Sequence, residues 1–489
     1  MSIPCRLITI LTKKNFIIIE KSNLSKYIIQ NNFRLTLKNK IYFIMKIKLF
    51  FLFTIIFYLA IPSFANEKNK IFRIGIVSDS QMYGDKNDWG AHNLALAFKK
   101  LKEEKIDLLL HVGDMSNTYD LNAWKFYRKL FCESFKGNMP EQVGVIGNHE
   151  YARKDRDAIS SKTVYEQFAQ ITGIPKENPY RKVVNNYDFI GLSEDIKDDY
   201  SDEMIKKCDN LIKEAIKRDP NKPIFFLTHY HPRYTVVGSV KHNGKANLRK
   251  LLNKYPQIVS LSGHCHYPAE DERTIWQGEF TAIATSTLSY GCVKLKGFNL
   301  ANTIIPYARE VIQMFIMDVK KDSIEIKRYN VLDNKEIKPQ SRWIINLPYN
   351  PKNPTYSKKR ALTRKEPYFE KNAKALIRYD YGFSYLIFDA AKHHDFVHHY
   401  IVRISKKNLD NTYSTASINR YVGNFYRLEK NRDNVLTFRI DKKNLEPNTV
   451  FRYEIYPVES FGKIGKPLII ESKIPNYKHR DNPAVIPQE

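Results

Sequence analysis

Ile258-Val-Ser-Leu-Ser-Gly263-His264-Cys265-His266 carries a short apolar run straight into a glycine and two histidines. Four earlier stretches follow the same pattern. The run at 72–78 leads into Asp79-Ser80-Gln81, 107–112 into Gly113-Asp114, 143–146 into Gly147-Asn148-His149-Glu150, and 223–227 into Thr228-His229. Short apolar runs bounded by turn residues read as buried strands. Each polar group therefore falls at the end of a strand. Leaving Glu150 aside, the five groups supply two carboxylates, two amide oxygens and four histidines. Taken singly, Gly-Asp is an ordinary turn and Asn-His a common loop dipeptide. Jointly, Asp, Asn and His side chains converging at strand ends read as a metal site, with enough donors for two ions.

Outward from these motifs, strands alternate with helices. Apolar residues recur at helical spacing over 91–102 and 121–135. Ser201-Asp-Glu-Met-Ile is a capped, acidic helix start, followed by a stripe of Met204, Ile205, Cys208, Leu211, Ile212 and Ile216. Asp219-Pro220 ends that helix. After Gln313 the pattern turns to antiparallel hairpin, with strands at 314–319, 323–331 and 343–347. Alternation first and strands later predicts a layered α/β sandwich with mixed β-sheets over residues 66–348. Residues 349–371, rich in Pro, Lys, Tyr and Arg, read as a linker. From 372 to 476 the pattern holds strands alone, at 375–379, 385–389, 399–404, 436–440, 450–456 and 468–474. That predicts a small all-β sandwich, with 477–489 as a tail. No internal repeat is present.

At 489 residues the chain has room for two or three domains, and 43% hydrophobic content excludes a disordered protein. The formal charge of +27 is spread through Lys-, Asn- and Ile-rich sequence rather than gathered on one segment. Specific nucleic-acid binding is therefore not expected, although the field favours anionic substrates. Met45-Lys-Ile-Lys48, an apolar run over 49–61 and Ser63-Phe64-Ala65 have the three parts of a signal peptide, 45–65, cleaved before Asn66. This predicts a secreted or periplasmic protein, held at the membrane if the segment is uncleaved. Translation is expected to start at Met45, leaving 1–44 as a mis-assigned extension. Cleavage would leave Cys132, Cys208, Cys265 and Cys292, too few for a disulfide scaffold; sequence does not rank their three possible pairings.

The order and spelling of the five motifs resemble the calcineurin-like metallophosphoesterase superfamily over 72–347. The resemblance implies two divalent metal ions, with Asp79, Gln81, Asp114 and His266 on the first. Asp114 would bridge to the second, completed by Asn148, His229 and His264. A carboxylate between two cations offsets their repulsion, and neutral imidazoles leave charge enough to acidify a water. His149 would be the catalytic residue, donating a hydrogen bond or proton to the ester. The implied activity is hydrolysis of a phosphoric ester or diphosphate bond by in-line attack of a dimetal-bound hydroxide, with no covalent intermediate. One position departs from the commonest pattern: Asp-x-His is here Asp79-Ser80-Gln81. A neutral amide oxygen is a harder, weaker donor than imidazole and favours Mn²⁺ or Fe²⁺ over Zn²⁺. The Gln form looks like the branch holding manganese-dependent ADP-ribose/CDP-alcohol diphosphatases. A phosphorylated small-molecule or nucleotide-like substrate is expected.

In the fourth motif His231 competes with His229 for the ligand role; His229 is nearer the strand, and His231 would then line the substrate pocket with Tyr151, Arg153, Arg233 and Tyr234. A guanidinium beside a phosphoryl group is chemically apt. His111 reads as a core histidine and Cys265 as a non-ligand. The doublets His393-His394 and His398-His399 read as strand and turn residues. Leu445-x-Pro447-x-Thr449-x-Phe451 with Phe461-Gly462-x-x-Gly465-x-Pro467 resembles the end of a fibronectin type III domain, with Phe451 where a tyrosine usually ties the strand to the backbone. Such a sandwich would be a spacer or a module for a cell-surface partner. The alternative function is a surface, carbohydrate or protein binder that keeps an inactive phosphoesterase scaffold; the near-complete ligand set favours the enzyme.

Overall fold

The computed structural model describes residues 8–12, 15–19, 71–85, 87–152, 160–195, 200–240, 242–295, 303–380, 383–440 and 445–475. The leader at 45–65, Arg153 and the tail at 477–489 lie outside them. Residues 1–70 and 71–489 are separate units. In the first, Ile8–Thr12 pairs antiparallel with Asn15–Ile19. Among the described residues no helix is long and apolar enough to cross a membrane.

The second unit begins β1 (Phe72–Val77), α1 (Trp89–Glu103), β2 (Leu108–Val112), α2 (Leu121–Ser134), β3 (Glu141–Val145) and α3 (Ser161–Thr172). A hairpin follows, β4 (Tyr180–Val184) and β5 (Tyr187–Gly191), then α4 (Asp202–Arg218), β6 (Ile224–Leu227), α5 (Ala246–Leu252) and β7 (Ile258–Ser262). β8 (Ile275–Gln277), β9 (Thr281–Ala284), β10 (Gln313–Val319), β11 (Ser323–Asn330), β12 (Lys335–Glu336) and β13 (Trp343–Asn346) complete this part. One sheet has the order β12-β11-β10-β1-β2-β3 with β13 beside β11; the other runs β8-β9-β7-β6-β5-β4. β1, β2 and β3 are parallel, as are β5, β6, β7 and β9, while β4, β8, β10, β11, β12 and β13 pair antiparallel with their neighbours. The expected mixed α/β sandwich is the observed one.

The two sheets face each other across a core that includes Ile74, Leu110, Val143, Phe189, Phe225, Leu261, Phe315 and Trp343. Phe189 stacks on Phe225 with ring centroids 4.9 Å apart. Helices α1, α2 and α3 cover the outer face of the first sheet, and α4 and α5 that of the second. Local chemistry starts these helices where they start. Asp88 caps α1 on Gly90 N, and Ser201 caps α4 on Met204 N, with Asp202 and Glu203 in the first turn and Lys217 and Arg218 in the last. The β4–β5 hairpin, absent from the sequence reading, turns on Asn185 and Asn186, whose φ of 46° and 62° suit a tight two-residue turn.

Residues 349–371 are fastened along the first half: Tyr349 Oη donates to Gly278 O, and Arg360 donates to the carbonyls of Glu272 and Ile275. Seven strands follow: β14 (Ala375–Asp380), β15 (Phe383–Asp389), β16 (His399–Lys407), β17 (Tyr413–Val422), β18 (Val435–Ile440), β19 (Val450–Val458) and β20 (Leu468–Lys473). They form sheets β14-β15-β18 and β17-β16-β19-β20 around Leu386, Tyr400, Val402, Phe451 and Ile455. β17 is the strand that the sequence pattern hid. Its residues are all half-buried or exposed, so no apolar alternation marks it.

Phe225→Ala would remove a fully buried ring from between the two sheets. Chemical denaturation is expected to show a loss of about 3–5 kcal/mol; a loss below about 1 kcal/mol would contradict this packing.

Candidate metal centre

Strands β1, β2, β3, β6 and β7 all end at the same edge of the layered core, which is where open α/β sheets present ligand-binding groups. Backbone hydrogen bonds join the first turn to the second and the fourth to the fifth. Asp79 N donates to Gly113 O, Gln81 N to Asp114 O, Thr228 N to Leu261 O and Gly263 N to His229 O, at 3.0–3.1 Å. Asp79, Gln81, Asp114, His264 and His266 all adopt the left-handed region, with φ between 47° and 67°. For non-glycine residues that costs on the order of 1–3 kcal/mol each, so the surroundings must over-determine it. The motif glycines allow the close approach. A Cβ on Gly147 would lie 2.2 Å from Asp114 Oδ1, and one on Gly263 would lie 2.2 Å from Ser78 Oγ.

Asp114 belongs to two groups of donors. It joins His229 and His264 in one, and Asp79 and His266 in the other, the donor atoms of each group lying within 4.8 Å of one another. His229 Nε2 is 3.0 Å from Asp114 Oδ2 and 3.8 Å from Asp79 Oδ1; His266 Nε2 is 3.0 Å from Asp79 Oδ1. Each of the three imidazoles is oriented by its other nitrogen. His229 Nδ1 lies 2.9 Å from Val112 O, His266 Nδ1 lies 2.9 Å from Tyr290 O, and His264 Nε2 lies 3.3 Å from Asn243 Oδ1. A proton held on that nitrogen leaves the inner one as a bare lone pair. His264 Nδ1 in turn lies 2.9 Å from Asn148 Oδ1.

These residues fit a pair of divalent cations. His229 Nε2 is buried and faces both carboxylates, Asp114 more closely than Asp79. Two carboxylates at 0–1% exposure, ringed by nitrogen lone pairs, call for positive charge between them. Within the protein alone His229 serves as that charge: burial opposes its imidazolium, but Asp114 and Asp79 more than offset this and hold its pKa well above the ordinary value. Burial raises the pKa of Asp114, and the neighbouring His229 overrides it downward. Burial and then His229 push the His264 pKa well down.

Glu150 proves to be the keystone beneath the cluster. Its buried carboxylate accepts from Gly147 N at 2.7 Å, Ser116 N at 2.8 Å and Asp114 N at 3.1 Å, tying the second and third motifs together. Burial, then the negative charge of Asp114, raises its pKa to about 7.

The remaining expected site residues sort by position. His149 is pinned by its backbone N to Asp114 Oδ1 at 2.9 Å and by Nδ1 to Asn117 O at 2.8 Å; its side chain is 30% exposed. Gln81 joins His149 and Ser289: its Nε2 is 3.2 Å from His149 Nε2, and its Oε1 accepts from Ser289 Oγ at 3.0 Å. His231 is fully buried, with Nδ1 2.5 Å from Ser262 Oγ. Tyr151 is buried and donates to Glu194 O, while Arg233 Nε donates to Gly244 O. Tyr234 is exposed. His111 is a core residue packed on Tyr127, and Cys265 turns away toward Asn243. Cys132, Cys208, Cys265 and Cys292 form no disulfide with one another. Sequence reading missed Asn243, Ser289 and the rings of Tyr230 and Tyr290, which lie 4.1 Å from His264 and 4.5 Å from His266. No strand-end pattern marks them.

Gly147→Ala is expected to displace Asp114 and weaken divalent-metal binding at least ten-fold in a metal titration followed by elemental analysis. Unchanged stoichiometry and affinity would count against the shared role of Asp114.

No curated protein sequence matches the chain. Among solved structures it is similar to GAP50, the anchor in the inner membrane complex of Plasmodium, at 14% identity and a TM-score of 0.40, over 58% of this chain and 92% of that one. Purple acid phosphatase PPD1 from yellow lupin seeds shares 14% identity with a TM-score of 0.41, over 57% of this chain and 54% of the lupin protein. Vacuolar protein sorting 29 from Cryptosporidium parvum shares 11% at a TM-score of 0.28, over 56% and 97%. Residues 72–268, the stretch that supplies every donor of the two clusters, match the family model described as calcineurin-like phosphoesterase.

Proposed function

We propose that the protein is a metal-dependent phosphoric ester hydrolase acting on a phosphorylated small-molecule or nucleotide-like substrate. The observation that carries this reading is the sharing of Asp114 between two donor groups, with His229 Nε2 buried between the carboxylates. Asp79, Asp114 and His266 would hold one cation, with Gln81 as a further ligand. Asp114, Asn148, His229 and His264 would hold the other. Two divalent cations so held would supply Lewis acidity toward phosphoryl oxygens and a water acidic enough to react near neutral pH.

The chain itself orients and protonates. His149, braced through Nδ1 on Asn117 O and partly exposed, would as the imidazolium offer Nε2–H to an ester oxygen or leaving group. Such general-acid help contributes roughly 10²–10⁴-fold. The amide at position 81 in place of an imidazole favours Mn²⁺ or Fe²⁺ over Zn²⁺. Export through the 45–65 segment suits the leader-like sequence there. The three-plus-four-strand arrangement supports a fibronectin type III-like sandwich, which would serve a cell-surface partner.

A panel of p-nitrophenyl phosphate, its bis ester, ADP-ribose and nucleotides, run with Mn²⁺, Fe²⁺, Zn²⁺ or chelator, tests the reading. Hydrolysis is expected with Mn²⁺ or Fe²⁺ and none after thorough metal removal; activity that outlasts chelation would refute it. His149→Ala is expected to lower kcat by about 10²–10⁴-fold while both metals stay bound. Gln81→His is expected to shift the optimum toward Zn²⁺, and an unchanged metal preference would exclude Gln81 as a ligand.

A further inference from the structure

His266 is followed by a residue that touches the C-terminal sandwich. The residue after it, Tyr267, is fully buried, and its hydroxyl lies 3.2 Å from Nε2 of His398, which immediately precedes β16. His398 is itself 2% exposed, and Nε2 also faces Asp271 at 3.7 Å. Arg273, clamped to Asp271, brings Nη2 within 3.4 Å of the same hydroxyl. Around this polar knot the two halves share one apolar cluster: Tyr267, Val293, Ile305 and Val311 from the first, Phe425 and Tyr426 from the second. The His398 ring stacks on Phe425, with centroids 5.3 Å apart. Tyr426 Oη reaches across to donate to Pro306 O at 2.8 Å. An ion-pair bridge runs alongside, in which Asp395 takes both Lys338 and Arg364.

Such a contact bears on the metal centre because His266 is in a conformation it would not choose. Its φ of 50° persists only while neighbours hold it on both sides. On one side are its own ring, fixed by Tyr290 O, and its carbonyl, which accepts from Cys292 N at 2.9 Å. On the other is Tyr267, and the side chain that fixes Tyr267 from the sandwich is His398. We infer that His398 is a positioning residue for the metal centre, acting through Tyr267, and that the sandwich is a structural part of the hydrolase site rather than an appended module. The inference rests on the metal-centre reading above, and adds to it the dependence of the His266 ion on a residue from the other half of the chain.

Full-length Tyr267→Phe, His398→Ala and His398→Gln test it. Tyr267→Phe keeps the ring and its packing and removes only the hydroxyl. Metal retention is read by elemental analysis after dialysis against graded chelator, beside the thermal midpoint and the kcat and KM of the full chain. Tyr267→Phe and His398→Ala are expected to lower retention of one of the two ions by about 10–100-fold, the usual effect of removing a residue that supports a ligand. Excess metal should restore kcat, and His398→Gln, which can still hydrogen-bond the hydroxyl, should recover much of the retention. If the unaltered protein binds two ions and Tyr267→Phe and His398→Ala retain both as well, the inference falls and the hydrolase reading stands. A lowered thermal midpoint with unchanged metal retention overturns it equally. If the unaltered protein binds no divalent metal, both fall together.

Discussion

Asp79 and Asp114 are carboxylates with almost no solvent, set at the ends of adjacent parallel strands and facing the same imidazole. Burying two like charges side by side is strongly unfavourable unless positive charge lies among them. That electrostatic demand organises the surrounding structure. Three histidines aim a ring nitrogen inward because a carbonyl or amide oxygen holds the far nitrogen of each ring. Backbone N–H groups add to the compensation: His149 N donates to Asp114, and His264 N donates to Asp79 at 3.1–3.2 Å. Five left-handed residues are part of the conformational consequence, since they reverse the chain directly at a strand end; Asn148, at a φ of −72°, joins the site without one.

The layered core makes such reversals affordable. β1, β2 and β3 belong to one sheet and β6 and β7 to the other, so the donors arrive from two surfaces locked face to face by Phe189, Phe225, Phe315 and Trp343. A slip of either sheet would separate Asp114 from His229, which are linked only across that interface. Glu150 performs the matching task within one sheet, where a single carboxylate gathers amides from the β2 and β3 turns. The strain is therefore local and its support is distributed.

The sandwich extends that support. Its contact with the first half is not a flexible tether: Tyr267, Phe425 and Tyr426 share a core, and residues 349–371 are tied by Tyr349 and Arg360 before the first sandwich strand begins. The sandwich and the metal centre thus share one mechanical frame.

The residues of the two donor groups could be picked out as candidates in the sequence because each is announced locally. An apolar run, then Gly-Asp, Gly-Asn-His or Gly-His-x-His, reports a strand end and its chemistry within ten residues. The alternating α/β pattern and the change to strands alone were legible for the same reason, since periodicity is a short-range property. What the sequence could not state is which distant atom holds each donor in place. Glu150 stood beside the motif with no visible task. Asn243 lies in an unpatterned loop, β17 has no apolar face to betray it, and the Tyr267–His398 contact joins residues 131 apart. Identity and spacing along the chain decided what chemistry the site can offer. Tertiary packing alone decided its geometry, because hydrogen bonds and burial between remote segments depend on where the folded sheets bring them and leave no periodic trace in the order of the residues.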